Sequence, residues 1–338
     1  MSFNSGPYLD AIDRELRSIL RAPSAVVERL YDMMAYHLGW LDQSFRPSPA
    51  DPGKRLRPLL CLLACQAAGG DWHRALPAAA AVELVHNFSL IHDDIEDNSL
   101  TRRGRPAVWA LWGLAHGVNV GDTMLVLAHQ ALSRLEQHRV EHATILVAMT
   151  TLDQTCQALC EGQYLDVTSE GDLRVTEVSY LEMISLKTAA LIAAGTELGA
   201  LIGGSGRDKQ HYRRFGVELG LAFQMADDVL GIWGESARTG KPTGSDLLSR
   251  KMTLPVIYAL QGREGKQLAA LYTQPQLSDA DVSRAIELLN RAGARQYVEQ
   301  RAAEHELNAL AALDAAHAQP RAAQHLRRVA ASLARREQ

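Results

Sequence analysis

Ala78-Ala79-Ala80-Ala81-Val82-Glu83-Leu84-Val85-His86-Asn87-Phe88-Ser89-Leu90-Ile91-His92-Asp93-Asp94-Ile95-Glu96-Asp97 decides the fold. Apolar residues at spacings of three and four through 78–91 predict a helix, and that helix ends in a run of carboxylates. Asp93 and Asp97 lie one helical turn apart, so their side chains leave the same face and can grip one ion or two. About 130 residues further on, a second apolar run, Leu219-Gly220-Leu221-Ala222-Phe223-Gln224-Met225-Ala226, ends in Asp227-Asp228. Unpaired carboxylates beside a core cost several kcal/mol, so these clusters predict divalent cations. Hard oxygen donors select Mg²⁺, which keeps waters and shares its sphere with phosphate oxygens. A solvated acidic face is the alternative, and the apolar lead-in to both clusters argues against it.

Outward from these runs the helical spacing recurs over 31–40, 59–68, 144–159 and 282–292. Ala, Leu, Glu, Gln and Arg dominate, while β-branched and aromatic residues are sparse. Pro52-Gly53, Gly69-Gly70, Gly203-Gly204-Ser205-Gly206 and Gly234-Glu235-Ser236 mark loops. Thr176 before Glu177 and Ser278 before Asp279 stand where helix caps belong. The strand-like alternation over 174–180 runs straight into a helical pattern and reads as a helix start. The expectation is an all-α helical bundle around a central apolar cavity, with residues 1–338 as one domain.

A chain of 338 residues with 47% hydrophobic content can bury a large core. A net charge of −4 offers no basic surface to nucleic acid, and Arg327, Arg328, Arg335 and Arg336 read as solvating a terminal helix. No uncharged apolar run of about 18 residues predicts a membrane span. Residues 1–21 carry Asp10, Asp13 and Glu15 and lack an apolar signal core, which points to the cytoplasm. Cys61 and Cys65, and Cys156 and Cys160, are spaced by one helical turn among Leu, Ala and Gln, which favours buried reduced thiols over a zinc knuckle. Gly234 to Lys241 resembles a P-loop, but five residues separate Gly234 from Gly240 and Pro242 replaces the required hydroxyl residue. The first acidic cluster lacks the alternating ligands and closing Glu of a calcium loop.

Basic residues flank both clusters: Gly53-Lys54-Arg55-Leu56-Arg57-Pro58 and Arg102-Arg103-Gly104 about the first, Lys187-Thr188, Gly240-Lys241 and Arg250-Lys251 about the second. Arginine forks and lysine point charges suit two polyanionic groups. With Mg²⁺ and an apolar cavity, they describe a site for a substrate with a diphosphate head and a hydrocarbon tail. These motifs, with Ser89-Leu90-Ile91-His92-Asp93-Asp94-Ile95-Glu96-Asp97, Gly162-Gln163, Phe223-Gln224-Met225-Ala226-Asp227-Asp228 and Gly240-Lys241-Pro242, occur in the order and approximate spacing of the trans-isoprenyl diphosphate synthases. The chain therefore resembles the polyprenyl synthetase family from about residue 50 to about residue 260. One departure stands out: Gly231 occupies the position where that family usually has a third Asp in its second motif.

The resemblance implies the isoprenoid synthase bundle, a homodimer, and a prenyltransferase that joins isopentenyl diphosphate to an allylic diphosphate by ionisation, condensation and elimination. It implies Mg²⁺ on Asp93, Asp94, Asp97, Asp227 and Asp228, where it would act as a Lewis acid on the allylic leaving group. Arg102, Lys187 and Lys241 would hold the allylic diphosphate, with Lys251 among the further substrate-binding residues. Lys54, Arg57, His86 and Arg103 would hold isopentenyl diphosphate. Thr188 and Gln224 would face the carbocation with their dipoles, while released diphosphate takes the proton. Gln163 and Asp166 match a family stretch but could equally serve as helix-to-helix hydrogen bonds.

Chain length rests on the helix of the first cluster. Ser89 lies one turn before Asp93 on nearly the same face, whereas Phe88 is rotated off it, so geometry alone points to Ser89 as pocket lining. The resemblance adds that an aromatic five positions before the motif suits enzymes stopping at geranylgeranyl diphosphate (C20), with farnesyl diphosphate (C15) as the alternative. Phe88 would then form part of the floor under the growing tail; packing against a neighbouring helix is the competing role. Two other activities share the scaffold. A class I terpene cyclase needs only one diphosphate site, and a non-catalytic subunit of a heteromeric synthase would have lost an aspartate motif.

Overall fold

A computed structural model describes residues 4–48, 50–51, 53–206, 208–234, 243–274 and 276–334. The fold is all-α: α1 Gly6–Ile19, α2 Glu28–His37, α3 Leu56–Ala67, α4 Leu76–Glu96, α5 Val108–Trp112, α6 Leu114–Ser133, α7 His142–Ser169, α8 Glu177–Ile184, α9 Ala190–Ile202 and α10 Lys209–Trp233. Helices Ser245–Leu248, Leu254–Leu260, Gly265–Tyr272, Asp279–Ala292, Ala294–Ala315 and Pro320–Ala334 follow. Each helical stretch read from residue spacing coincides with one of these. Between α8 and α9 the chain widens into a π-helical segment, Ser185–Ala189. The chain divides into two compact units, Met1–Cys156 with Ala194–Arg213 and Ala316–Leu326, and Gln157–Ala193 with Arg214–Ala315 and Arg327–Gln338.

In the first unit α4 is buried nearly all round, from Pro77 in its first turn through Leu84, Val85, Phe88 and Ile91 to Asp94. A helix apolar on every side belongs inside a large core, and each fully buried leucine of α3 and α4 contributes about 1.5–3 kcal/mol. Helix α3 packs on the part of α9 in this unit at close range. A Cβ on Gly199 would fall 2.1 Å from the Cys61 carbonyl oxygen, and one on Gly203 would fall 2.5 Å from that of Cys65. Glycines one turn apart thus let the two backbones approach. The Cys61 and Cys65 thiols are buried there, whereas Cys156 is half-buried and Cys160 exposed, so the expectation of buried thiols holds for the first pair and not for the second. Burial pushes Cys65 up to about 12 and Cys61 higher still, so both stay protonated.

A small hairpin follows α4, with Thr101–Arg102 antiparallel to Arg105–Pro106. Its turn residues Arg103 and Gly104 both have positive φ, 52° and 70°, the requirement of a type I′ turn. Strands this short carry no alternation, which is why residue periodicity missed them. The Tyr36 hydroxyl donates to the Pro106 carbonyl at 2.8 Å, and the Arg105 guanidinium lies 4.0 Å over the Tyr36 ring. These contacts pin the hairpin to α2.

The second unit gathers its core from Tyr180 and Ile184 of α8, Met225, Val229 and Ile232 of α10, and Leu254, Leu268, Leu288 and Val298 of the later helices. The expected caps are present. Thr176 and Ser179 form a capping box at α8, which begins where the 174–180 alternation was read as a helix start, and Ser278 and Asp281 form another before Asp279–Ala292. The stretch Glu177–Ile202 is long and apolar enough to cross a membrane by length and composition, but 72% of its apolar window is buried inside the protein, as for a core helix.

Candidate functional site

In the first unit the C-terminal end of α4 carries the acidic cluster. Asp93 is half-buried, Asp97 caps the helix and is exposed, and Asp94 turns inward at 1% exposure. Arg102 reaches back from the hairpin and donates to Asp94 Oδ1 through Nε at 3.0 Å and Nη2 at 2.5 Å. The hairpin's local role is therefore to return a cation to a helix C-terminus, where the backbone dipole also favours it.

Seven residues before Asp93, His86 faces the same side of α4, about 10 Å along the axis. Its Nε2 lies 3.3 Å from Arg57 Nη1. Burial, reinforced by Arg57 and Arg103, holds the His86 pKa well below its usual value, so the ring is neutral and accepts the guanidinium N–H. Arg57 sits in the first turn of α3, behind a left-handed N-cap residue, Arg55, at φ 48° and ψ 36°. Arg55 is itself buried and pairs with buried Glu83 at 2.7 Å, and Asn87 donates to the same Glu83 oxygen at 2.8 Å. Gly53, at φ 82°, leaves space for Arg103: a Cβ there would lie 2.8 Å from the guanidinium. Lys54 is exposed at the edge of this loop. His37 joins the pocket, kept neutral by burial and by Arg103, Arg102 and Arg55. Arg57, Arg103 and His86 thus gather as the sequence suggested, in an arrangement suited to a polyanion.

Phe88 is buried, with its ring edge-to-face on His92 at 5.6 Å. Half-buried Ser89 donates from Oγ to the His86 carbonyl at 2.9 Å.

In the second unit α10 supplies Gln224, Asp227 and Asp228, and the π-helical segment supplies Lys187 and Thr188. Helix α7 closes on this segment because residue 162 is glycine: a Cβ would fall 2.3 Å from the Lys187 nitrogen. Lys187 Nζ lies 2.5 Å from Asp166, and Lys251 lies 4.0 Å from the same carboxylate. Asp166 therefore pairs with Lys187, while Gln163 is half-buried on α7. Thr188 donates to Gln224 Oε1 at 2.8 Å, and Gln224 Nε2 donates to Asp228 Oδ1 at 3.0 Å. Asp228 Oδ2 accepts from the Tyr180 hydroxyl at 2.7 Å and the Leu254 N–H at 3.2 Å. Burial, partly offset by the Gln224 and Tyr180 hydrogen bonds, pushes the Asp228 carboxyl up to about 7. Asp227 is half-buried. Beside Gly231, the space a Cβ would enter holds the Asp246 carboxylate, with Oδ2 only 2.0 Å from that point. Lys241 lies outside the described residues.

The donor set suits Mg²⁺. Asp93 and Asp97 present hard oxygens one turn apart, and among the described residues no three His, Cys, Asp or Glu side chains converge into a closed cage. An ion held by one or two carboxylates and completed by phosphate and water needs no such cage. Residue reading missed His37, Tyr180, Asp246 and the Arg55–Glu83–Asn87 network. Only Glu83 carried a usable signal, a charge inside the apolar run 78–91.

The polyprenyl synthetase family model matches residues 39–289. The chain belongs to the polyprenyl synthetase family. As a member it is a prenyltransferase of isoprenyl diphosphate synthesis. It is 42% identical over 293 residues to a geranylgeranyl diphosphate synthase of Mycobacterium tuberculosis, covering 86% of this chain and 82% of that one. A (2E,6E)-farnesyl diphosphate synthase of the same organism is also 42% identical, over 280 residues, covering 81% of this chain and 77% of the other. Among solved structures, a polyprenyl synthetase from Streptomyces coelicolor A3(2) superposes with a TM-score of 0.87 at 35% identity, covering 96% of each chain. The family fold is the all-α bundle read from the sequence.

Proposed function

We propose that this prenyltransferase condenses isopentenyl diphosphate with an allylic diphosphate and releases geranylgeranyl diphosphate (C20). One observation carries the reading: a single face of α4 bears the His86–Arg57 pocket and, about 10 Å along, the Asp93–Asp97 pair. An anion pocket beside a carboxylate pair suits two diphosphates, only one of which needs a metal. Mg²⁺ on the two acidic clusters, Asp93, Asp94 and Asp97 at the end of α4 and Asp227 and Asp228 on α10, would neutralise the charge growing on the allylic leaving group.

The protein's own groups do the rest. Lys54, Arg57, His86 and Arg103 bind isopentenyl diphosphate. Arg102, Lys187 and Lys241 bind the allylic diphosphate, Arg102 and Lys187 exchanging carboxylate partners for phosphate oxygens. Thr188 and Gln224 direct oxygen dipoles at the carbocation, and the site's apolar surroundings keep out water that would quench it. Released diphosphate takes the proton, so no side-chain base is assigned. Phe88 forms part of the floor that stops elongation. The proposal includes a homodimer working in the cytoplasm, tested by sedimentation of the pure protein and by cell fractionation.

Farnesyl diphosphate is the second reading, favoured by the equal identity to relatives of both names. Purified protein is incubated with Mg²⁺, isopentenyl diphosphate and each of the C5, C10 and C15 allylic diphosphates, and product length is measured. A C20 product supports the proposal, a C15 end point selects the second reading, and no product with any primer rejects both.

A further inference from the structure

Arg105 follows the turn of the hairpin that carries Arg102 and Arg103, and it has no part in the substrate roles assigned above. We propose that Arg105 is a positioning residue: its guanidinium anchors the hairpin on α2 and on the loop after it, and so aims Arg102 and Arg103 at the two diphosphates. The inference rests on the prenyltransferase reading for what those two arginines bind, but not for the anchor itself.

In the strand register Arg102 stands directly across from Arg105. Like charges at such a pair repel, and here the two side chains are drawn to different partners. Arg102 goes to Asp94, through Nε at 3.0 Å and Nη2 at 2.5 Å. Arg105 spans two backbone carbonyls instead: Nη1 donates to that of Tyr36 at 3.1 Å and Nη2 to that of Leu41 at 2.6 Å. Tyr36 lies in the last turn of α2, where the helix dipole favours a cation, and its ring sits 4.0 Å beneath the guanidinium. The loop that receives the other half of the fork is itself braced. Leu41 bridges to Pro47, and Asp42 Oδ1 accepts from the Ser44 and Arg46 N–H groups at 2.8 and 3.0 Å. Phe45 of the same loop stacks on Trp112 at 5.3 Å, and Trp112 meets the Tyr36 ring edge-on at 5.0 Å. Trp112 ends α5, so the chain leaving the hairpin is tied to the same place. A planar fork with two acceptors fixes distance and angle together. The turn between the strands has only two residues, Arg103 and Gly104, both at positive φ, so holding Arg105 also holds the two arginines before it.

The test compares Arg105→Ala, Arg105→Lys and Tyr36→Phe in the full chain. Steady-state kinetics give kcat and the KM of isopentenyl diphosphate and of an allylic diphosphate, and limited trypsin digestion is run well below each unfolding midpoint. Arg105→Ala should raise both KM values about tenfold and change kcat by less than about threefold, because the hairpin carries one cation for each substrate. Arg105→Lys keeps the charge but cannot span both carbonyls, so it should fall between, and it is read in place of the alanine variant if that one does not fold. Tyr36→Phe, which loses the hydroxyl donated to the Pro106 carbonyl, should move both KM values the same way by less. Cleavage after Arg102 and Arg103 should be about tenfold faster in Arg105→Ala, since local opening exposes those bonds while the core stays folded. Arg105 precedes Pro106, so its replacement removes no ready trypsin site. A rise in one KM alone overturns the proposal, as do KM values and a cleavage rate that match the unmodified chain. If the unmodified chain forms no prenyl product, the parent reading fails by itself, and the cleavage rate still decides whether Arg105 anchors the hairpin.

Discussion

Replacing Glu83 with Ala removes the carboxylate that pairs with Arg55 inside the first unit. The two side chains are 6% and 3% exposed and 2.7 Å apart. At an effective dielectric of about 20, that separation is worth roughly 6 kcal/mol of attraction, which the desolvation of both ions largely cancels. The intact pair therefore adds little net stability. Breaking it is another matter, because the Arg55 charge stays buried without its partner and Asn87 loses an acceptor. The expected cost is about 3–5 kcal/mol. For a chain of 338 residues that unfolds as one transition, about 2.1 cal/mol/K per residue converts this into a fall in Tm of about 4–7 °C. Glu83 also counters the burial that lowers the Arg103 pKa, so the loss reaches the neighbouring cation. Arg55 sits between Lys54 and Arg57, so the KM for isopentenyl diphosphate should rise while that for the allylic substrate holds. Thermal unfolding and steady-state kinetics measure both effects. The double variant Arg55→Met with Glu83→Leu should recover most of the stability and little of the KM. A Glu83→Ala protein within about 1 kcal/mol of the unmodified chain, with unchanged KM, would refute the reasoning.

Gly231→Asp, which restores the family's third aspartate, should lower the unfolding midpoint by driving a carboxylate into that of Asp246, and adding Asp246→Ala should recover it; equal midpoints for the single and double variants would show that the two positions do not compete. His37 and His86 have folded pKa values well below 6.5, so the unfolded chain binds protons that the fold refuses. Their contribution is intact above pH 6.5 and is lost below it at about 1.4 kcal/mol per pH unit for each. Urea unfolding from pH 7.5 to 5.5 checks this, with His37→Gln expected to flatten the slope. Phe88→Ala should shift products to longer chains if Phe88 forms the floor, and an unaltered product distribution would assign its ring to packing against a neighbouring helix.

The all-α architecture, the two acidic runs, the helix caps at Thr176 and Ser278 and the cations around the first cluster were legible in the residues. Each is a local matter: helical spacing, caps and charge density are written within a few turns of chain. The grouping of Arg57, Arg103 and His86 was legible through motif order, because those residues lie on short, well-marked segments. Which carboxylates are buried and partnered was not. Asp94 and Asp228 look like Asp93 and Asp227 in sequence, yet Arg102 covers one, and Gln224, Tyr180 and Leu254 enclose the other.

Likewise nothing near Gly231 announces that Asp246 fills its side-chain space, and nothing near Gly162 announces the π-helical segment against it. Those features depend on segments distant in sequence meeting at contact distance, where volume and desolvation select among groups of the same chemistry. The sequence by itself determined the helices, their caps and the chemical character of the site. Tertiary packing decided which of the like-charged residues are buried and partnered, since burial is a property of neighbours that a residue's own segment does not contain.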